Sequence, residues 1–131
     1  MKGASLVALD SGLFLRAAAA IAELGEVRTW SDNEGGVVQL TDDEGRLFTL
    51  YEGIPEGTEW ELREGPFEVA PGVELPDMQS VIGCPFECRW EDLVVRLAAA
   101  IARASDEPTW VLDGDGVVWD AEAVDPSAVI L

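Results

Sequence analysis

The chain has 131 residues, 48% of them hydrophobic and five of them tryptophan, which is enough for the core of one ordinary domain and excludes a wholly disordered chain. Its 26 acidic residues against 8 basic ones give a formal charge of −18, a field that repels nucleic acid and anionic lipid and attracts basic proteins or divalent cations. Adaptation to a salty cytoplasm, or drift in a GC-rich genome, would leave a similar composition, with one lysine beside seven arginines.

In chain order, residues 6–9 read as a strand, and Asp10 or Ser11 is placed to cap a helix running to about residue 24. Phe14, Ala17, Ala18, Ile21 and Leu24 fall on one face of that helix, whose alanines permit close approach to a sheet. Residues 27–31, 37–41 and 47–51 are rich in β-formers and are separated by the turn sequences 32–36 and 42–45. Residues 52–77 carry four prolines, four glycines and short β-like runs at 58–62 and 67–70, which fits either an extended connection laid across the sheet or a mobile linker.

A strand is expected again at 80–89, where Gly83 and Pro85 argue for an edge or a bend. A helix over 91–104 has Glu91 and Asp92 at its positive end and Arg103 at its negative end. Residues 109–112 and 117–120 form a hairpin through Asp113-Gly114-Asp115-Gly116, and 128–131 reads as a last strand that ties down the C-terminus.

Laid on itself with a shift of 80 residues and no gap, the chain shows 12 identities between 13–40 and 93–120. They include Thr29-Trp30 with Thr109-Trp110 and Gly36-Val37-Val38 with Gly116-Val117-Val118, beyond an alanine run that composition alone can produce. The expected fold is therefore α+β, with two pseudo-symmetric β-α-β-β(-β) repeats, at about 5–51 and 80–131, forming one domain. A largely antiparallel sheet carries two Ala-rich helices, and Trp30 and Trp110, at matching positions, are expected as core anchors. Trp90 and Trp119 have no such match, and either is free to be exposed.

Catalytic chemistry finds little footing. The chain has no histidine to activate a nucleophile, and it carries no phosphate-binding glycine loop. Cys84 and Cys88 would face one side of a strand about 13 Å apart, at roughly 3.3 Å per residue, too far to bridge without a turn. The loop 113–116 lacks the glycine and glutamate positions of a calcium loop, so 113–116 and 42–45 both read as hairpin turns. No cofactor or metal is expected, and the chain is read as not being an enzyme.

The connector does carry a binding signature. Glu52, Glu56, Glu59, Glu61, Glu64, Glu68, Glu74 and Asp77 oppose Arg63 alone, and Tyr51 and Trp60 lie among them, so charge for steering is combined with aromatics suited to an interface anchor. The expected partner-binding residues are Asp42, Asp43, Glu44, Glu52, Glu56, Glu59, Trp60, Glu61 and Glu64. A solvated connector whose aromatics cover the core would show the same residues.

The small size, the acidity, the missing catalytic apparatus and the segments 88–93 and 109–116 are similar to those of small bacterial immunity proteins of polymorphic toxin systems. That resemblance implies an acidic inhibitor that occludes the active site of a basic toxin, often a nuclease or deaminase, in the cytoplasm of the producing cell. The alternatives are a DNA mimic that occupies a DNA-binding protein, and a homo-oligomeric scaffold domain, homodimeric through a sheet edge. Direct binding to nucleic acid or membrane is not expected: the longest apolar stretch, 17–22, is too short to cross a bilayer, and no segment has the form of a signal peptide.

Overall fold

A computed structural model describes residues 3–131. Eight strands form one sheet: β1 (Ala4–Ala8), β2 (Glu26–Asp32), β3 (Gly35–Thr41), β4 (Leu47–Tyr51), β5 (Glu68–Val69), β6 (Ile82–Cys88), β7 (Thr109–Leu112) and β8 (Val117–Asp120). Their order is β2-β3-β4-β6-β1-β7-β8-β5, antiparallel except where β5 runs parallel to β8. With three helices, α1 (Leu13–Ala22), α2 (Trp60–Arg63) and α3 (Glu91–Arg103), the fold is α+β.

Helices α1 and α3 pack together on one face of the sheet. Alternation along each strand sends Leu6, Val38, Leu40, Phe48, Leu50, Phe86, Val111 and Trp119 to that face. There they meet Leu13, Ala17 and Ile21 of α1 and Leu93, Leu97 and Ile101 of α3. The small side chains of α1 let its backbone come close to the strands, while Phe48 and Phe86 stack at 5.0 Å between centroids. Neither Asp10 nor Ser11 caps α1. Its N-cap is Gly12, without a side-chain bond, because the Asp10 carboxylate is held by Arg16 at 2.9 and 3.1 Å.

The opposite face is covered over β1, β7 and β8 by the connector. Leu62, Met78 and Val81 bury against Val7, Leu112 and Val118, with Ile54, Phe67 and Val73 packed around them. Residues 58–62, read as β-like, contain the start of α2 instead. Only Leu62 of that helix is buried, and Glu59 pairs with Arg63 one turn on at 3.1 Å, the orientation that supports a short helix. Arg63 also donates to the Met78 and Val81 carbonyls, each at 2.8 Å, stitching the two ends of the connector together.

β6 is central, between β4 and β1, and not the edge or bend that Gly83 and Pro85 led one to expect. The β4 ladder begins at Phe86, one residue past Pro85. At Gly83 a Cβ would stand 2.8 Å from Leu62 Cδ2, so the glycine admits the connector against the sheet. The C-terminal residues do not form a strand. They are tied down by Gly114 N–H donating to the Ile130 carbonyl at 2.7 Å and Ile130 N–H donating to Asp113 Oδ2 at 3.2 Å.

The helix-strand-strand order recurs at the spacing seen in the sequence, but the strands take different places. After α1 the chain goes to the edge strand β2 and runs inward to β4, whereas after α3 it goes to β7, beside β1, and runs outward to β8. Trp30 consequently sits on an edge strand, 44% exposed, and Trp110 is half-buried under the connector. Neither is the core anchor expected from the alignment; that part is played by Trp119, 7% exposed.

A different pair of hairpins shares its detailed geometry, β3–β4 and β7–β8. In each turn the leading aspartate accepts through Oδ1 from the N–H groups two and four residues on, at 3.0 and 2.8 Å for Asp42 and at 2.9 and 3.0 Å for Asp113. Gly45 and Gly116 follow at φ 78° and 83°, the left-handed region that favours glycine.

Asp113 does more than close its turn. Its Oδ2 accepts from Trp119 Nε1 at 3.0 Å and from Ile130 N–H, so one buried carboxylate takes four donors. In Asp113→Asn, whichever way the amide turns, its NH2 faces two N–H groups. The expected cost is about 2 kcal/mol or more of unfolding free energy. Exposed Asp115→Asn should stay within about 0.5 kcal/mol of the parent. Urea denaturation of the two variants checks both values, and equal stability would remove Asp113 from this role.

Candidate binding cleft

The connector stops short of covering the whole second face. Between its edge and the end of the β2–β3 hairpin lies an open cleft of about 500 Å3. Ser5, Pro85 and Leu112 belong to its floor, Pro55, Trp60, Pro66 and Phe67 come from the connector, and Tyr51 stands on the other side. Asp32, Glu34, Glu61, Glu87 and Asp115 supply acidic groups along the lining, and no Lys or Arg joins them among the described residues. A concave, largely apolar surface with convergent charges of one sign is the general form of a binding site.

Of the residues singled out in the sequence, Trp60 and Glu61 line this cleft, with Trp60 54% exposed at the start of α2. Glu56 and Glu64 are exposed beside it without lining it, and Glu59 is exposed but engaged by Arg63 at 3.1 Å. Glu52 is turned to the strand ends, where Oε1 accepts from Gly36 N–H at 2.8 Å. Cleft acids that sequence reading did not single out, Asp32, Glu34, Glu87 and Asp115, come from three separate segments. Only the strand order brings them together.

Asp42, Asp43 and Glu44 lie elsewhere, on the β3–β4 turn, and Asp42 is no surface group. Its carboxylate is fully covered and bound by Arg46 Nε at 2.8 Å. Arg46 also reaches Glu44 at 3.1 Å and Asp92, at the start of α3, at 2.9 Å, while its guanidinium stands 5.7 Å from the Trp90 ring centroid. The ligand oxygens of Asp42, Asp43 and Glu44 fall within 4.8 Å of one another, but a guanidinium already binds two of the three carboxylates. The turn thus joins the sheet to α3.

Desolvation pushes the Asp42 pKa up, yet the Arg46 amide and guanidinium and the Glu44 amide outweigh it, so the carboxyl lies below its ordinary value. Arg46 lowers Asp92 in the same way, Arg16 lowers Asp10, and Ser127 lowers Asp125. The hydrogen bond to Glu87 pushes the Tyr51 phenol up to about 12. Burial raises both thiols, Cys84 to about 12, and holds them in the protonated, weakly nucleophilic form.

No helix among the described residues is long and apolar enough to cross a membrane. No protein-family model matches the chain, and no curated protein or solved structure matches it either.

Two opposed effects of pH follow. Asp10, Asp42, Asp92 and Asp125 have folded pKa values below the ordinary 3.8, so their stabilisation is present above that value and is lost as pH falls through the lowered ones. The formal charge of −18 acts the other way, because self-repulsion eases as exposed carboxylates protonate. At low ionic strength, Tm should rise from pH 7 to about 5 and fall below about 4, and added salt at pH 7 should raise it. Circular-dichroism melts test this, and a steady fall from pH 7 downward would contradict it.

Proposed function

We propose that this chain is a non-catalytic acidic binding protein whose cleft receives a cationic segment of a basic protein. The supporting observation is the clustering of Asp32, Glu34, Glu61, Glu87 and Asp115 around an apolar, aromatic-edged depression without a basic residue in its lining. Carboxylates of one sign speed encounter with an oppositely charged partner, and a half-exposed tryptophan beside a pocket is the kind of anchor that sets residence time. An immunity protein that blocks the active site of a basic toxin, a nuclease or deaminase, in the bacterial cytoplasm is the form of this activity we favour. A DNA mimic would present its carboxylates along a convex ridge, whereas these line a hollow.

A stoichiometric complex with a basic protein should be recovered from producing cells, and the partner's enzymatic activity should be lost in it. Glu61→Gln and Glu87→Gln together should slow association and flatten its salt dependence. Trp60→Ala should chiefly raise the dissociation rate, by about 2 kcal/mol or more if Trp60 is the anchor. Surface plasmon resonance across salt concentrations separates the two contributions. Binding indifferent to all three changes in folded protein would place the interface elsewhere.

A further inference from the structure

The sheet has two unlike edges. β5 ends it with two residues, whereas β2 ends it with seven, Glu26-Val27-Arg28-Thr29-Trp30-Ser31-Asp32, six of them exposed and none proline. Long edges of this kind are ready to pair with another strand unless charge or a bulge prevents it. The Gly36 carbonyl accepts from Glu52 N–H beyond the end of β4. Gly36 therefore points its backbone groups away from β2, and by alternation its partner Ser31, together with Thr29, presents N–H and C=O to the open edge.

We propose that β2 pairs antiparallel with β2 of a second copy of this chain, about a twofold axis at Trp30. The charge order selects this occupant and this register. Arg28, Trp30 and Asp32 share the face turned away from α1 and α3, since their β3 partners Gln39, Val37 and Gly35 alternate with Val38 and Leu40 of the helix-side core. An axis through Trp30 sets the two indoles against each other and places each Arg28 opposite the Asp32 of the other copy. On the helix side, Thr29 meets Ser31.

Opposite charges, an aromatic pair and a hydroxyl pair are the cross-strand combinations that stabilise a sheet. Moving the axis to Thr29 sets Glu26 against Asp32, and moving it to Arg28 sets like charges face to face. Asp32 Oδ1 is occupied by the Glu34 and Gly35 amides at 2.9 and 3.0 Å, which leaves Oδ2 for the arginine. The contact is one strand per chain and each copy carries a formal charge of −18, so the dimer is weak, forms at micromolar or higher concentration, and gains from moderate salt that screens the overall repulsion.

Sedimentation equilibrium of the full chain should show a reversible monomer–dimer exchange. Arg28→Glu, on an exposed side chain, should raise the dissociation constant about tenfold or more, because it sets a carboxylate against the Asp32 of each copy. Thr29→Pro removes an N–H that faces only the open edge and should have an effect at least as large while the β2–β3 ladder stays intact.

The register has its own readout. Opposed residues of a non-hydrogen-bonded pair have Cα atoms about 4.5 Å apart, within disulfide reach. Trp30→Cys should therefore give a covalent dimer under oxidised glutathione, while Thr29→Cys and the parent protein should not. A protein that stays monomeric at high concentration with and without salt, a dimer untouched by Arg28→Glu, or crosslinking as strong through Thr29→Cys would each overturn the proposal. Neither Arg28 nor Thr29 lines the cleft, so loss of the dimer and loss of partner binding are read separately.

Discussion

Everything in this molecule follows from burying the strands around β1 on both faces. Leu6 and Val7 are adjacent residues pointing opposite ways, and both are inaccessible to water, so neither side of the sheet can be left wet there. Two helices satisfy one side. The other has no helix long enough to do so, and the segment between the two halves is recruited instead, with Leu62, Met78 and Val81 as its contacts. Burying side chains of this size stabilises the fold by roughly 1.5–3 kcal/mol each, enough to fix a segment rich in proline and glycine. The cleft exists because that cover ends before the sheet does.

The electrostatics have the same origin. Arg16, Arg46, Arg63 and Arg103 make the described salt bridges, and the first three are partly buried fasteners that join helix to loop, hairpin to α3, and connector to itself. Three of the seven arginines are thereby committed to the framework. Within the cleft lining no Lys or Arg stands beside Asp32, Glu34, Glu61, Glu87 and Asp115, so negative charge is concentrated there.

Local pattern made several elements legible. β4, β7, β8 and α3 lie within a residue of where alternation, helical period, terminal charges and Asp-Gly turns put them. Place in the sheet was not legible, because an edge strand and an inner strand can carry the same short motif. Thr29-Trp30 and Thr109-Trp110 share identity but not surroundings. Pro85 and Gly83 pointed away from the centre, where β6 in fact lies, since nothing local announces that a neighbouring ladder begins one residue later. Trp60 and Leu62 alternate as a strand would and lie on a single helical turn. In the cleft, sequence density picked out Trp60 and Glu61, whereas Asp32, Glu87 and Asp115 are remote from them along the chain. Asp42 belonged to the same acidic count but serves as the buried end of a turn.

The place of β1 also bears on how the chain reaches this structure. β1 precedes the other described strands in the chain yet lies in the middle of the sheet, between β6 and β7, with pairings as distant as Ser5 with Leu112. β2, β3 and β4 pair only with near neighbours in sequence until β6 arrives, so this meander can assemble early with α1 against it, while β1 waits for the second half of the chain. Closure of such long loops is slow in general, and during that wait an unpaired central strand and the open β2 edge are exposed at once. A high density of like charge on every copy keeps such half-formed chains apart, so the acidity that makes the folded chain so strongly charged also opposes association while it is still folding.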